Sequence, residues 1–215
     1  MAADLVRKLH QRRWREKLGL FFVEGEDAVE AATAEPVEVI TDAEVLAKVS
    51  SAGHPPRVIA VYRRADLPTW EERPATLALW QLADPGNVGT LIRTADAFGA
   101  AIALSPGCAD PTSPKALRAT AGSIWRVPLG TWDDIAGTRV ALVAHGGEPL
   151  ASLDLSARVS FLLGAERAGL PADVERDLDA SIPIASAESL NVAAAGAVAL
   201  YEWSRRTMPA SPSRT

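Results

Sequence analysis

Short, continuous apolar runs separated by turn residues are the feature of this sequence that most constrains its fold. The runs span residues 76–82, 101–105, 139–144 and 159–163, and helical patterns follow most of them. Strands that are apolar along their whole length are buried on both faces, which is typical of a parallel sheet covered by helices. We therefore predict an α/β domain whose ligand crevice lies at the carboxyl ends of these strands.

The first 65 residues alternate shorter strand and helix signals. Strand-like runs at 20–23, 37–41 and 57–62 enclose helical patterns at 25–33 and 42–49, which predicts a small α/β domain over residues 1–65. Residues 66–75, rich in Pro, Glu and Arg, are typical of a linker. The larger domain then covers residues 76–207, and the polar residues 208–215 are predicted to form a disordered tail.

Charge is distributed unevenly along the chain. The formal net charge of −5 argues against a nucleic-acid partner, because phosphate contacts require Lys and Arg. The first 20 residues, however, hold six basic side chains against two acidic ones. This basic arm indicates either RNA contact, through Arg12 and Arg13, or a solvated helix face. Trp14 lies among these arginines and is a candidate for stacking on a base.

Several classes of protein are excluded or disfavoured. No apolar run approaches the roughly 18 residues that span a bilayer, and the basic N-terminus lacks the apolar stretch of a signal peptide. The single cysteine, Cys108, cannot form an internal disulfide, so we expect a cytoplasmic protein without a membrane partner. Dinucleotide, P-loop and G-x-S-x-G motifs are missing from the sequence. The three histidines lie far apart, so no metal site is expected.

The first polar segment of the larger domain reads DPGNVGTLIRTADAFG from Asp84 onward. Helical spacing places four of its apolar residues on one face, namely Val88, Leu91, Ile92 and Ala95. Arg93 lies off that face and does not belong to the core. Asn87 fits a helix N-cap and Gly99 the position after the C-cap, so a structural role alone explains both. Gly86 and Gly89 leave the backbone open to close approach by a ligand.

The second polar segment, LLGAERAGLP, directly follows the run 159–163. Glu166 lies between Gly164 and Gly169 at the carboxyl end of a strand, where it can accept hydrogen bonds from a cationic or hydroxylic ligand. The alternative is an exposed turn carboxylate paired with Arg167, a contact of little energetic weight.

The third polar segment, IPIASAESLNVAAA, precedes an Ala-rich helical pattern that continues to residue 206. Ser189 or Asn191 can cap this helix, which is the commonest reason for such residues at this position. Two capping-type residues on either side of Leu190 exceed what one cap requires. The additional polar side chain therefore indicates a ligand.

Taken in this order, the three segments resemble the SpoU (TrmH) family of the SPOUT methyltransferases. The likeness covers nearly the whole chain, including LSPGCADPTSPKALRATAG after the first segment and GLFFVEG near the N-terminus. The resemblance implies a knotted parallel-sheet methyltransferase domain with a small N-terminal α/β substrate-binding domain. It also implies a homodimer that binds S-adenosylmethionine, in a bent form, within the knot.

Individual residues match the family's functional positions. The resemblance implies an active site of Asn87, Arg93, Glu166, Ser189 and Asn191. It implies that the cofactor is held mainly by loop backbone around Ala144, Gly164, Ile184, Ser189 and Leu190. Arg118 matches a further basic position near the RNA. The chain departs from the family pattern at Ala165, usually Asn, and in a third loop that is one residue shorter and lacks a usual Gly. Both departures lie beside the implied cofactor site.

The implied reaction is methyl transfer to a ribose 2′-hydroxyl of ribosomal or transfer RNA, of which ribosomal RNA is favoured. Because arginine has a pKa above about 12, a free arginine base is hard to accept. We hypothesise that Arg93 clamps the adjacent phosphate and stabilises developing alkoxide charge, with Glu166 and Asn87 orienting it. Ser189 and Asn191 would hold the loop and the substrate. The alternatives are a non-catalytic RNA-binding or assembly protein that retains the fold, and a base methyltransferase.

Overall fold

The computed structural model describes residues 2–50, 54–155 and 157–207. The predicted tail, residues 208–215, lies outside the described residues. The chain divides into two compact units: unit 1 comprises Met1–Pro68, Asp84–Arg93 and Ala109–Arg126, and unit 2 comprises Thr69–Ala83, Thr94–Cys108 and Val127–Thr215. The two units interleave along the chain. The division into domains at residues 66–75 stays a prediction.

The helices and strands of the described residues have the following bounds. The helices are α1 Ala2–Leu9, α2 Arg12–Leu18, α3 Glu26–Glu30, α4 Ala43–Val49, α5 Pro85–Phe98, α6 Pro114–Thr120 and α7 Val192–Thr207. The strands are β1 Leu20–Glu24, β2 Glu38–Ile40, β3 Ile59–Arg63, β4 Ala75–Leu79, β5 Ala101–Leu104, β6 Leu129–Thr131, β7 Thr138–Val143, β8 Glu148–Pro149, β9 Val159–Leu163 and β10 Leu178–Ser181. None of the described helices is both long and apolar enough to cross a membrane.

Unit 1 contains a small antiparallel sheet, which in the described residues has the strand order β1-β3-β2. Its core joins α1, α4 and the sheet through buried side chains that include Leu9, Phe22 and Ile59. The predicted helix at 42–49 is confirmed, since the Asp42 carboxylate accepts the first free N–H groups of α4 at 3.0 Å. The strands and helices predicted between residues 20 and 62 are thus present in the small unit.

A buried ion pair ties α2 to the loop before α6 within unit 1. The Arg15 guanidinium, 3% exposed, donates to Asp110 at 2.8 Å and to the carbonyl oxygen of Leu9 at 2.7 Å. Asp110 also accepts from the hydroxyl of Thr112 at 2.7 Å. Arg15 is one of the six basic side chains of the predicted basic arm, but it is not available at the surface, because its charge is satisfied inside the unit.

Unit 2 contains the large sheet, with the strand order β6-β5-β4-β9-β7-β10-β8 in the described residues. Each of these pairings is parallel. The central strands β4 and β9 are buried along their whole length, as continuous apolar runs require. The predicted fold class is confirmed.

Strand β4 ends at Leu79, three residues before the predicted end of the run. The Trp80 N–H still bonds to the Leu163 carbonyl at 2.8 Å, but Gln81 adopts a φ of 49° and turns the chain away. The Ser105 hydroxyl accepts the Gln81 N–H at 2.9 Å, so a side chain replaces the next backbone partner. The apolar run therefore continues beyond the strand.

Helix α5 begins in unit 1 and ends in unit 2. Its predicted apolar face is confirmed, since Val88, Leu91, Ile92 and Ala95 are fully buried. Gly99 has a φ of 66° and ends the helix, while the Ala100 N–H bonds to the Ala95 carbonyl at 2.8 Å. The prediction for Gly99 is confirmed as well.

Candidate active site

A cavity of about 580 Å³ opens in unit 2 at the carboxyl ends of β7 and β9. Its walls come from three chain segments: residues 142–144 at the end of β7, residues 163–169 after β9, and residues 182–195, which follow β10 and enter α7. The volume lies within the range of small-molecule sites. The crevice predicted from the apolar runs therefore lies at the carboxyl ends of parallel strands, as expected for this fold.

The loop after β9 folds back tightly on the end of its strand. Ala165 and Gly169 exchange two backbone hydrogen bonds, at 3.1 and 2.8 Å. A Cβ atom on Gly164 would lie 2.2 Å from the carbonyl carbon of Gly169 and 2.4 Å from the nitrogen of Leu170. Only glycine fits this close approach of two backbone segments. Glu166 is exposed at the tip of the loop and lines the cavity.

The loop before α7 settles which residue caps that helix. The side-chain amide oxygen of Asn191, Oδ1, accepts the N–H groups of Ala193 at 2.9 Å and Ala194 at 3.3 Å. Asn191 is therefore the capping side chain. Ser189 makes no hydrogen bond with any residue that the structure describes, and it lines the cavity. That Ser189 contacts a ligand stays a prediction.

The cavity combines an apolar wall with a few polar groups. The apolar side chains are those of Leu142, Leu163, Ile182, Ile184 and Leu190. The polar side chains are those of Glu166, Arg167, Ser189 and Asn191. This composition suits a ligand that has a flat apolar ring and a charged or hydroxylic end. The described residues contain no cluster of three or more His, Cys, Asp or Glu side chains that could hold a metal ion.

The predicted cap of α5 is wrong. Asp84, not Asn87, caps this helix, because its carboxylate accepts the N–H groups of Gly86 and Asn87, the latter at 3.2 Å. The helix therefore begins at Pro85, and Asn87 lies half-buried in its first turn. The hydrogen bond from Lys115, at 2.8 Å, is the main cause that holds the pKa of Asp84 below its ordinary value. Capping does not explain the Asn87 side chain.

Gly89 has a packing role that the sequence did not reveal. A Cβ atom at this position would lie 2.3 Å from the carbonyl oxygen of Ala116 and 2.7 Å from the Cβ of Ala119. Both contacts belong to α6 in unit 1. The expectation that Gly89 leaves room for a ligand is therefore wrong, since α6 occupies that space.

Arg93 lies on the exposed side of α5. It forms no ion pair or hydrogen bond with the residues that the structure describes, so no protein group fixes its guanidinium. Asn87 and Arg93 belong to unit 1, whereas Glu166, Ser189 and Asn191 line the cavity of unit 2. The implied cofactor residues Ala144, Gly164, Ile184, Ser189 and Leu190 line that same cavity.

The three candidate RNA-binding arginines lie in unit 1 and differ in their partners. Arg12 pairs with Glu16 at 2.7 Å on the surface of α2, whereas Arg13 is exposed. Arg118 pairs with Glu24 at 2.8 Å; its side chain is 40% exposed and that of Glu24 only 3%. The Arg118 charge is therefore held by a buried carboxylate.

Sequence reasoning missed part of the cavity wall. The additional lining residues are Leu142, Val143, Leu163, Arg167, Ala168, Ile182, Val192 and Ala195. Most of them lie at or just beyond the ends of strands or in the first turn of α7. Their position after an apolar run was a usable signal, because the ends of parallel strands line such crevices.

This arrangement defines an α/β protein that binds a small ligand at the carboxyl edge of a parallel sheet. The model of the SpoU rRNA Methylase family matches residues 74–201. An uncharacterized tRNA/rRNA methyltransferase of Synechocystis is 32% identical and aligns with 96% of this chain and 91% of its own. A Bacillus subtilis 23S rRNA guanosine 2′-O-methyltransferase is also 32% identical, over 91% of this chain and 92% of its own.

A solved structure of an rRNA methyltransferase also matches nearly the whole chain. The AdoMet-bound rRNA methyltransferase from Sinorhizobium meliloti matches with a TM-score of 0.86 and 28% identity, covering 97% of this chain and 95% of that one. The chain belongs to the SpoU rRNA methylase family, and the resemblance inferred from the three segments is confirmed.

The cofactor of this family fits the cavity. S-adenosylmethionine, or AdoMet, carries an adenine ring, a ribose and a charged amino-acid end, which match the apolar wall and the few polar groups beside it. The tight loop at Gly164 brings backbone to the cavity edge, so main-chain groups can hold the cofactor there. Residues 144, 164, 184, 189 and 190 are the positions that would hold it.

Substituting Gly164 with alanine tests this assignment. We expect the affinity for AdoMet to fall about tenfold or more, because the added methyl group must displace the 165–169 loop from the end of β9. Calorimetric titration with AdoMet measures the loss. Ala172→Gly is the control, since it also changes one methyl group, on an exposed residue outside the cavity wall. AdoMet binding by Gly164→Ala equal to that of the wild type would refute the assignment.

Proposed function

We propose that this protein transfers a methyl group from AdoMet to a ribose 2′-hydroxyl of ribosomal RNA. The observation that carries the proposal is the cavity formed by the second and third motif loops at the carboxyl edge of the parallel sheet. A relative over nearly the whole chain is named for 2′-O-methylation of 23S rRNA. The RNA substrate class is taken from that relative.

The side chains have distinct tasks in this proposal. When bound, AdoMet supplies a methyl group that is already activated on a sulfonium, so that the attacking oxygen needs only alignment and loss of its proton. Arg93, whose guanidinium no described residue holds, is available to clamp a phosphate of the RNA and to stabilise negative charge on the ribose oxygen. The hypothesis that Glu166 and Asn87 orient Arg93 stays a prediction, because no described residue forms a hydrogen bond or ion pair with its guanidinium.

Two polar residues of the loop before α7, Ser189 and Asn191, have different roles in this proposal. Asn191 is a positioning residue, because its side-chain oxygen Oδ1 accepts hydrogen bonds at the N-terminus of α7 and fixes the loop there. Ser189, which makes no hydrogen bond within the described part of the chain, contacts the substrate or the cofactor. A Ser189→Ala change should therefore act at the ligand, and an Asn191→Ala change should act on the loop and on folding.

Two measurements test the proposed reaction. Purified protein incubated with unmodified ribosomal or transfer RNA and methyl-labelled AdoMet should label ribosomal RNA. Calorimetric titration should show binding of AdoMet alone. Binding of RNA without any heat from AdoMet would instead establish a non-catalytic RNA-binding protein that retains the fold. Labelling of transfer RNA alone would overturn the assigned substrate.

We also propose that the protein is a homodimer that uses the exposed face of α7. Val198 and Tyr201 lie three residues apart on this helix and are 38% and 58% exposed. Large apolar side chains on one helix face favour contact with another protein surface.

Sedimentation equilibrium tests the dimer. The wild type should have the mass of two chains, and Val198→Glu/Tyr201→Glu should weaken the dimer about 30-fold or more. Val39→Glu, at a site in unit 1 that is 50% exposed, should leave the mass unchanged. A wild type that stays monomeric at all concentrations would contradict the proposal.

We place the reaction in the cytoplasm. The proposed ribosomal RNA substrate requires a compartment in which ribosomes are assembled. Cys108 is a free, buried thiol, which fits a reducing environment.

A further inference from the structure

The basic side chains of α1 and α2 fall into two sets. Three are matched by a carboxylate: Arg7 by Asp4 at 3.1 Å, Arg12 by Glu16 at 2.7 Å and Arg15 by Asp110 at 2.8 Å. The other three are Lys8, Arg13 and Lys17, and none of them pairs with a carboxylate among the described residues. All three surround the ring of Trp14, at 5.3, 5.6 and 5.1 Å from its centroid. We call these four residues the Trp14 cluster.

Stability of the fold does not account for the Trp14 cluster. Each cation is attracted by the face of the indole ring, but such contacts are weak at exposed sites. Three positive charges around one ring also repel one another. Trp14 itself is only half-buried, so the ring is not a core side chain. The arrangement therefore suits a partner that supplies negative charge and a flat group together.

We propose that the Trp14 cluster binds an unpaired nucleotide of the RNA substrate, with its base stacked on the Trp14 ring and the flanking phosphates bound by Lys8, Arg13 and Lys17. This inference rests on the proposed function, which supplies the RNA. Single-stranded nucleic acid matches the cluster because it offers exposed base faces and closely spaced phosphates, whereas a duplex hides its base faces. The long, flexible lysine side chains can move from the ring to the phosphates when the base arrives.

The cluster revises the assignment of RNA-binding residues made from the sequence. Arg13 belongs to it, but Arg12 is held by Glu16 and stands apart. Lys8 and Lys17, which lie on different helices, join Arg13 around the ring. The Trp14 cluster therefore defines a single-nucleotide contact formed jointly by α1 and α2.

Binding of a fluorescein-labelled oligoribonucleotide tests the proposal, with the full chain and anisotropy as the readout. The wild type should bind the single strand more tightly than the same strand in a duplex. Trp14→Ala should weaken single-strand binding about tenfold and leave duplex binding within about twofold, because only the unpaired base can stack. Trp14→Phe keeps an aromatic face and should recover most of the affinity.

A matched pair of double variants tests the charges. Lys8→Ala/Lys17→Ala should weaken RNA binding. It should also reduce the slope of log affinity against log salt concentration by the amount expected for about two fewer phosphate contacts. Arg7→Ala/Lys48→Ala removes the same charge from two surface pairs of unit 1, Arg7–Asp4 and Lys48–Glu44, and should change the affinity less than about twofold. Equal losses in the two double variants would overturn the proposal. Wild-type affinity in Trp14→Ala would do the same.

Further measurements keep this inference separate from the proposed reaction. Vesicles of anionic phospholipid are the second probe, and capture by vesicles without single-strand RNA binding would overturn the RNA assignment in favour of a membrane surface. AdoMet titration and methyl transfer are measured on the same samples. If the wild type transfers methyl groups and the Trp14 and lysine variants bind RNA as the wild type does, RNA binding by the Trp14 cluster is refuted and the proposed reaction stands. If the variants lose RNA binding but the wild type transfers no methyl group, the proposed reaction is refuted and RNA binding by the Trp14 cluster stands.

Discussion

Replacing Arg93 with alanine is expected to slow methyl transfer to RNA about 100- to 1,000-fold, the range lost when one group that stabilises developing negative charge is removed. The exposed Arg93 side chain contacts no described residue through an ion pair or hydrogen bond, so its loss should leave the unfolding free energy and AdoMet affinity unchanged. Single-turnover transfer of labelled methyl groups at saturating AdoMet measures the chemical step.

Two further variants separate charge and geometry from general effects. Arg93→Lys keeps the positive charge but loses the planar guanidinium, which can donate two parallel hydrogen bonds to a phosphate. It should therefore recover only part of the rate. Arg57→Ala is the matched control, because this arginine is 85% exposed and lies 3.7 Å from Glu26 in a surface pair of little energetic weight. Near-wild-type turnover by Arg93→Ala at equal RNA occupancy would show that another group stabilises the ribose oxygen.

Breaking the buried Arg15–Asp110 pair should destabilise the protein by about 3–5 kcal/mol. Both side chains are almost fully buried, at 3% and 4% exposed. Among the described residues, Arg15→Ala leaves the Asp110 carboxylate with only Arg64, 32% exposed and 3.5 Å away, as a counter-charge. Urea unfolding monitored by tryptophan fluorescence measures the loss.

The double variant provides the internal check on this second prediction. Arg15→Ala/Asp110→Ala should lose less than the sum of the two single changes, because neither charge is then left buried alone. Losses that add to within about 0.5 kcal/mol would mean that the two groups do not interact.

The same pair makes stability sensitive to acid. Burial by itself would raise the pKa of Asp110, but hydrogen bonds from Thr112 and the charges of Arg64 and Arg15 outweigh it and hold the pKa below its ordinary value. A carboxyl whose folded pKa is depressed stabilises the protein above its unfolded pKa of about 3.9, and this stabilisation is lost as the pH falls through the folded pKa. The double variant should therefore lose less stability below about pH 4 than the wild type does.

Local sequence predicted the elements of the large sheet that are apolar throughout. Strands β4, β5, β7 and β9 were all expected, since burial on both faces leaves a continuous apolar run. The edge strands β6 and β8 have only three and two residues, and β10 contains Asp179 and Ser181. These three strands therefore lack a continuous apolar run from which they could be predicted. The strand order, with β9 between β4 and β7, depends on pairing between distant segments and has no local signal.

The site shows the same division between local and distant causes. The apolar face of α5 and its end at Gly99 are local and were predicted. The start of α5 was predicted at the wrong residue, because Asp84 and Asn87 are both good N-cap residues. Pro85 favours a helix that starts directly after Asp84. Arg15 resembled a surface residue because its partner, Asp110, lies 95 residues away in the chain.

The chemical position of the transferred methyl group tests the central claim most directly. Ribosomal RNA treated with the wild-type protein and labelled AdoMet should contain label at one nucleotide whose 3′ phosphodiester resists alkaline cleavage, because a methylated 2′-oxygen can no longer attack the phosphate. RNA treated with Arg93→Ala should show no such resistance. Label in RNA whose linkages all remain alkali-labile would place the methyl group on a base and contradict the account.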